Sequence, residues 1–108
     1  MPDVKREFER KSVHKELDVS FRRLNTNTFI RIHHIADMSY GGMKFYTESR
    51  ISVNEEIEVR LNLSDYIMRM IVAVRRCSQS EDNLYETGVE FITISGKNLR
   101  MLTKVLED

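Results

Sequence analysis

The sequence predicts an all-β fold: a six-stranded antiparallel β-barrel with a C-terminal α-helix and a flexible N-terminal leader. Three observations predict it. Apolar residues recur at every second position through most of the chain, the period turns helical only after Ser95, and residues 1–16 are charged throughout with no apolar stretch. Six short strands in 108 residues would leave two exposed edges in an open sheet, and rolling the sheet into a barrel removes them.

The elements follow in order. Leu17, Val19 and Phe21 alternate with Asp18, Ser20 and Arg22, which gives a strand with one buried and one wet face. After the turn Asn25-Thr-Asn27, residues 28–38 are rich in β-branched and aromatic side chains and read as the second strand. The third, residues 43–47, follows a Gly41-Gly42 corner and puts Met43 and Phe45 on one side. In the fourth, Ile57, Val59, Leu61 and Leu63 alternate with Glu56, Glu58, Arg60 and Asn62. The fifth, residues 66–77, carries Met68, Met70, Val72 and Val74 on one side and Ile67, Ile71 and Ala73 on the other, so cover is expected on both faces. A polar loop over 78–83 leads to the sixth, residues 84–94, where Tyr85, Val89 and Phe91 alternate with Glu86, Gly88 and Glu90. Ser95 then suits an N-cap, and Leu99, Leu102 and Leu106 form a helical stripe widened by Met101 and Val105. That helix is expected to plug one mouth of the barrel or to lie on the outer face of residues 66–77. The chain therefore divides into a leader over 1–16 and a single domain over 17–108.

Composition bounds the function. Hydrophobic residues make up 41% of the chain, enough for one modest core. Seventeen basic residues balance seventeen acidic ones, so net charge gives no general attraction to nucleic acid or anionic lipid, and any anion site must be local. The lone Cys77 can form no intrachain disulfide, no secretory leader is visible, and no apolar run reaches the roughly 20 residues of a membrane-spanning helix; a cytoplasmic location is expected.

Two short stretches carry chemistry. In Arg6-Glu-Phe-Glu-Arg10 the two arginines can converge on one anion, either wrapped around it in an extended leader or stacked at i,i+4 on a helical turn. The planar guanidinium binds phosphate or the O6/N7 edge of guanine bidentately and can stack on a base. The bland alternative is a solvated tail in which Glu7 and Glu9 pair with Arg10 and Arg6. The second stretch is Asp37-Met-Ser39-Tyr-Gly-Gly42, at the end of a strand. Asp37 and Ser39 can cap a corner for which Gly41 and Gly42 supply positive φ, and nothing more. The same geometry can also recognise a purine: a carboxylate on a fixed turn accepts from the N1–H and N2–H₂ edge of guanine, which adenine does not offer, with Ser39 bonding beside it.

Arg6-x-x-x-Arg10 followed by Asp37-x-Ser39-x-x-Gly42, on alternating strands with a short terminal helix, resembles the PilZ domain, the bacterial receptor module for cyclic di-GMP. Gly88-Val-Glu-Phe91 looks like that family's closing strand, and the resemblance covers nearly the whole chain. It implies that Arg6 and Arg10 hold phosphates and guanine edges, and that Asp37, Ser39 and Gly42, with Gly41 beside them, form the matching turn on the barrel wall. Lys5 stands where many relatives carry another arginine or an apolar residue, a position linked to binding one or two ligand molecules; stoichiometry stays open. The expected mechanism is closure of the leader over the dinucleotide. That closure changes the surface offered to a downstream protein in motility, exopolysaccharide or virulence regulation.

The remaining residues have plain readings. His33 and His34, consecutive on a strand, are expected on opposite faces, and no metal site or cofactor is predicted. Met38, Met43, Met68 and Met70 read as core filler, and Cys77 as a small semi-buried residue. No catalytic set is present, so a binding module is expected and not an enzyme. The alternatives are a PilZ-like protein-interaction module with weak or no nucleotide binding, and a small barrel for single-stranded nucleic acid. Aromatic residues at 8%, not clustered with basic ones, argue against the latter. Oligomeric state is open.

Overall fold

The computed structural model describes residues 11–12, 17–63 and 65–107. Eight strands form one antiparallel sheet: β1 (Lys11–Ser12), β2 (Asp18–Arg23), β3 (Ile30–Arg31), β4 (His34–Met38), β5 (Gly42–Thr47), β6 (Glu56–Leu63), β7 (Tyr66–Gln79) and β8 (Tyr85–Thr93), followed by helix α1 (Gly96–Glu107). The strand order is β1-β4-β5-β8-β7-β6-β2-β3. The fold is all-β with one C-terminal helix, as the periodicity indicates, but the described residues form eight strands and not six.

One of the two extra strands comes from the break in residues 28–38. β3 pairs with β2 and β4 pairs with β5, and the bend between them donates to both neighbours: Ile32 N–H to Val19 C=O at 2.9 Å and His33 N–H to Tyr46 C=O at 2.9 Å. A single segment thus ties the two ends of the sheet together and curls it into a barrel-like shape. The other extra strand is β1, two residues paired with β4.

Side chains pointing into the curl form the core. Val19, Phe21, Met38, Met43, Phe45, Ile57, Val59, Leu61, Met68 and Val72 are at most 1% exposed. Each fully buried apolar side chain of this size contributes about 1.5–3 kcal/mol. Four of the methionines, Met38, Met43, Met68 and Met70, lie in this core.

β7 carries apolar residues on both faces by regular alternation against β6: Met68, Met70 and Val72 point inward opposite Leu61, Val59 and Ile57, and Ile67, Ile71 and Ala73 point outward opposite Asn62, Glu58 and Glu56. A bulge between Val74 and Arg76, with Arg75 as the extra residue of β7, breaks the alternation and leaves Arg75 and Arg76 both exposed. Cover on its outer side is partial, since Ala73 is 3% exposed but Ile67 is 49% exposed.

α1 plugs the barrel mouth. Leu102 and Leu106 join the core cluster, with Met101 and Val105 packed against it. Ser95 Oγ accepts from the Asn98 N–H at 3.1 Å, the N-cap bond expected of it. The stripe is rotated from the expected one: Asn98 is buried and Leu99 is 42% exposed. Asn98 holds this position because its amide donates to Arg69 C=O and its Oδ1 accepts from the Tyr66 hydroxyl, both at 2.8 Å.

Candidate functional site

The Asp37–Gly42 corner is a tight hairpin between β4 and β5. Ser39 N–H donates to Gly42 C=O at 2.8 Å, and the Ser39 hydroxyl accepts from Gly41 N–H at 3.2 Å and reaches Gly42 C=O at 3.4 Å. Ser39 is 3% exposed, so its hydroxyl is committed to shaping the turn. Gly41 C=O in turn accepts from Phe91 N–H at 2.9 Å, which fastens the corner to β8.

The glycines serve this corner differently from the sequence expectation. No described glycine has positive φ. A Cβ on Gly42 would lie 2.1 Å from the Val89 carbonyl oxygen, so glycine is required by the close approach of two backbones.

Asp37 faces outward because of a β-bulge. Ile35 pairs with Phe45 and Asp37 with Lys44, so β4 spends one residue more than β5 between these pairs, and Asp37 turns to the outer face while Met38 turns in. Its Oδ2 lies 3.6 Å from Lys44 Nζ. From there one row crosses the outer wall, β4 to β7, through register partners: Asp37, Lys44, Gly88 and Arg76. Gly88 leaves the row bare at its middle, since a Cβ there would meet nothing closer than 3.9 Å. The result is a shallow gap between a lysine and an exposed arginine, with a carboxylate at one end. Lys44 and Arg76 are absent from the sequence prediction; alternation counted from Asp37 finds them only once pairing and bulges are known.

The next row holds His34, Tyr46 and Glu86. The rings of His34 and Tyr46 stack at 4.6 Å, and Tyr46 donates to Glu86 Oε2 at 2.9 Å. That bond holds the Tyr46 phenol above its ordinary pKa. His33 and His34 do not point to opposite faces as the sequence suggests: the bend brings their Nδ1 atoms to 2.7 Å. Among the described residues no group of three or more His, Cys, Asp or Glu side chains is placed to hold a metal ion. Cys77 is half-buried with its Sγ 3.5 Å from Thr87 Oγ1.

A concavity of about 420 Å³ lies at the other end of β5, lined by His33, Glu48, Asp82, Asn83 and Leu84. Its carboxylates make it a poor seat for a phosphate. Arg6, Arg10 and Lys5 lie outside the described residues, and Arg10 is joined directly to Lys11, which pairs with Met38 beside the corner. No described helix is long and apolar enough to cross a membrane.

The PilZ domain family model matches residues 4–108. Among solved structures, the Bacillus subtilis inhibitor of motility (MotI/DgrA) superposes with a TM-score of 0.76 at 16% identity, covering 99% of this chain and 55% of that one. The PilZ domain with cyclic di-GMP of YcgR from Escherichia coli gives 0.72 at 16% identity, covering 95% and 89%. The Klebsiella pneumoniae MrkH–cyclic di-GMP complex gives 0.76 at 19% identity, covering 95% and 51%. The chain therefore spans about half the length of two of these proteins. No curated protein matches it.

Proposed function

The chain belongs to the PilZ domain family, and from that premise we propose that it is a receptor for cyclic di-GMP, binding the dinucleotide on the outer wall beside the Asp37–Gly42 corner. The observation that carries this reading is the outward row Asp37, Lys44, Gly88, Arg76, a gap bordered by two cations and ended by a carboxylate. It complements a ligand with two phosphates and guanine edges. Two relatives at low identity, YcgR and MrkH, are described in complex with cyclic di-GMP.

In this reading Asp37 accepts from the guanine edge, while Ser39, Gly41 and Gly42 shape the corner against which the ligand rests. Arg6 and Arg10 reach the phosphates and bases from the leader over 1–16. The ligand ties that leader to the wall, and a cytoplasmic downstream protein reads the changed surface. The role is one of binding and relay, with no reaction catalysed.

Calorimetric titration with cyclic di-GMP, cyclic di-AMP and a short single-stranded oligonucleotide tests it. Binding of the first alone, lost in Arg6→Ala and Arg10→Ala while the melting transition persists, is expected; Asp37→Ala should bind more weakly and discriminate less between the guanine and adenine dinucleotides. No heat from folded protein would leave a protein-interaction module with this fold.

A further inference from the structure

A second row crosses the outer wall on other strands. Arg31 on β3 pairs with Ser20 on β2, Ser20 with Arg60 on β6, and Arg60 with Arg69 on β7. Register partners share a face, and Val19 and Phe21 point inward, so Arg31, Arg60 and Arg69 all point outward. Arg31 and Arg69 are exposed. Among the described residues none of the three makes an ion pair. The nearby carboxylates are engaged elsewhere: Glu58 takes Arg22 at 2.5 Å, and Asp18 accepts from Asn62 at 2.7 Å.

Arg60 and Arg69 lie directly opposite each other, an arrangement that is unfavourable between like charges. Phe29 mitigates it. Its ring centroid is 4.1 Å from the Arg60 guanidinium carbon and 5.9 Å from that of Arg69. The compensation is incomplete, because Arg60 Nε is buried without a hydrogen-bond partner among the described residues. One row away, Ile67 is 49% exposed. Three guanidiniums lie over four strands, two of them against an aromatic ring and the row bordered by an open isoleucine, and none of the three makes an ion pair among the described residues.

We propose that this row is a docking site for an acidic segment of a partner protein, with carboxylates seated on Arg69, Arg60 and Arg31 and an apolar side chain against Ile67. The dimensions fit. Opposed residues have Cβ atoms about 5 Å apart, close to the spacing of i,i+4 carboxylates on a helix. Arg31 lies two strand spacings, about 10 Å, beyond Arg60. That span exceeds a single phosphate. One face of Phe29 is occupied by Arg60, so that face is closed to a nucleic acid base. Arg69 and Arg76 on β7 are seven residues apart, roughly 23 Å along the strand, so this row and the nucleotide wall can be occupied together. The proposal does not depend on nucleotide binding.

The test uses fluorescence anisotropy of a labelled helical peptide of about four turns, with glutamates at i,i+4 spacing and one leucine, against its glutamine counterpart. The glutamate peptide is expected to bind, the glutamine peptide not. Arg69→Glu and Arg31→Glu should each weaken binding about tenfold and leave both the melting transition and the cyclic di-GMP titration unchanged. Equal binding of both peptides, undiminished binding in the two variants, or no binding at low salt overturns the proposal. So does sedimentation with phosphatidylserine vesicles that is lost in the same variants, which would make the row a lipid contact.

Discussion

Gly42 on β5 lies so close to Val89 on β8 that a Cβ on the glycine would sit 2.1 Å from the valine carbonyl oxygen. The obstacle is backbone and cannot swing away. Gly42→Ala therefore has to part β5 from β8 beneath the hairpin corner, at a cost of about 3 kcal/mol. Denaturant titration should show that loss, and the variant's cyclic di-GMP affinity should fall with it. An unchanged midpoint would mean that the two strands are not held at this separation.

Positive φ, which the sequence suggests for this glycine, is a local property, whereas the close approach that requires it is a property of strand pairing. The same distinction runs through the site. Strand existence and the inward set Met38, Met43, Phe45, Met68 and Val72 were legible, since period two is a local signal. Parity was not. Bulges near Ala36 and Arg75 put Asp37 and Arg76 on the outer face, whereas strict alternation from Ile35 and Val74 would bury both. Likewise, helical spacing assigns Leu99 to the core, and the tertiary bonds of Asn98 turn the helix away from that stripe.

Those bonds make Asn98 a second test. Its side chain joins α1 to Arg69 C=O and the Tyr66 hydroxyl, and the residue is 8% exposed. Asn98→Ala strands both partners near the barrel mouth and should cost about 2 kcal/mol. Thermal melts check it; a variant as stable as the parent would show that Leu102 and Leu106 alone seat the helix.

Gly88→Val separates the wall from the fold. A Cβ at this position makes only ordinary contact, 3.9 Å from Arg76 Cβ, and valine favours a strand. Stability should hold within about 0.5 kcal/mol. The added methyls fill the gap between Lys44 and Arg76, so cyclic di-GMP affinity should fall about tenfold or more. Arg76→Ala should weaken it severalfold and flatten its salt dependence. Full affinity in Gly88→Val would move the ligand off this row.

Tyr46 provides a pH signature. Its phenol donates to Glu86, and that bond, followed by desolvation and the nearby charges of Glu86 and Asp37, raises its pKa above the ordinary tyrosine value. A raised folded pKa means that the native state holds the proton more tightly. The resulting stability is therefore complete below about pH 10, where the unfolded tyrosine is also neutral, and is lost as pH rises through the folded pKa. The parent protein should lose stability through this alkaline window faster than Tyr46→Phe, which has no proton to release. Tyr40, raised by its hydrogen bond to Glu107, behaves in the same sense and remains in both proteins, so the difference between their denaturant midpoints isolates Tyr46. Parallel curves above pH 10 would show that the Tyr46–Glu86 bond does not persist in solution.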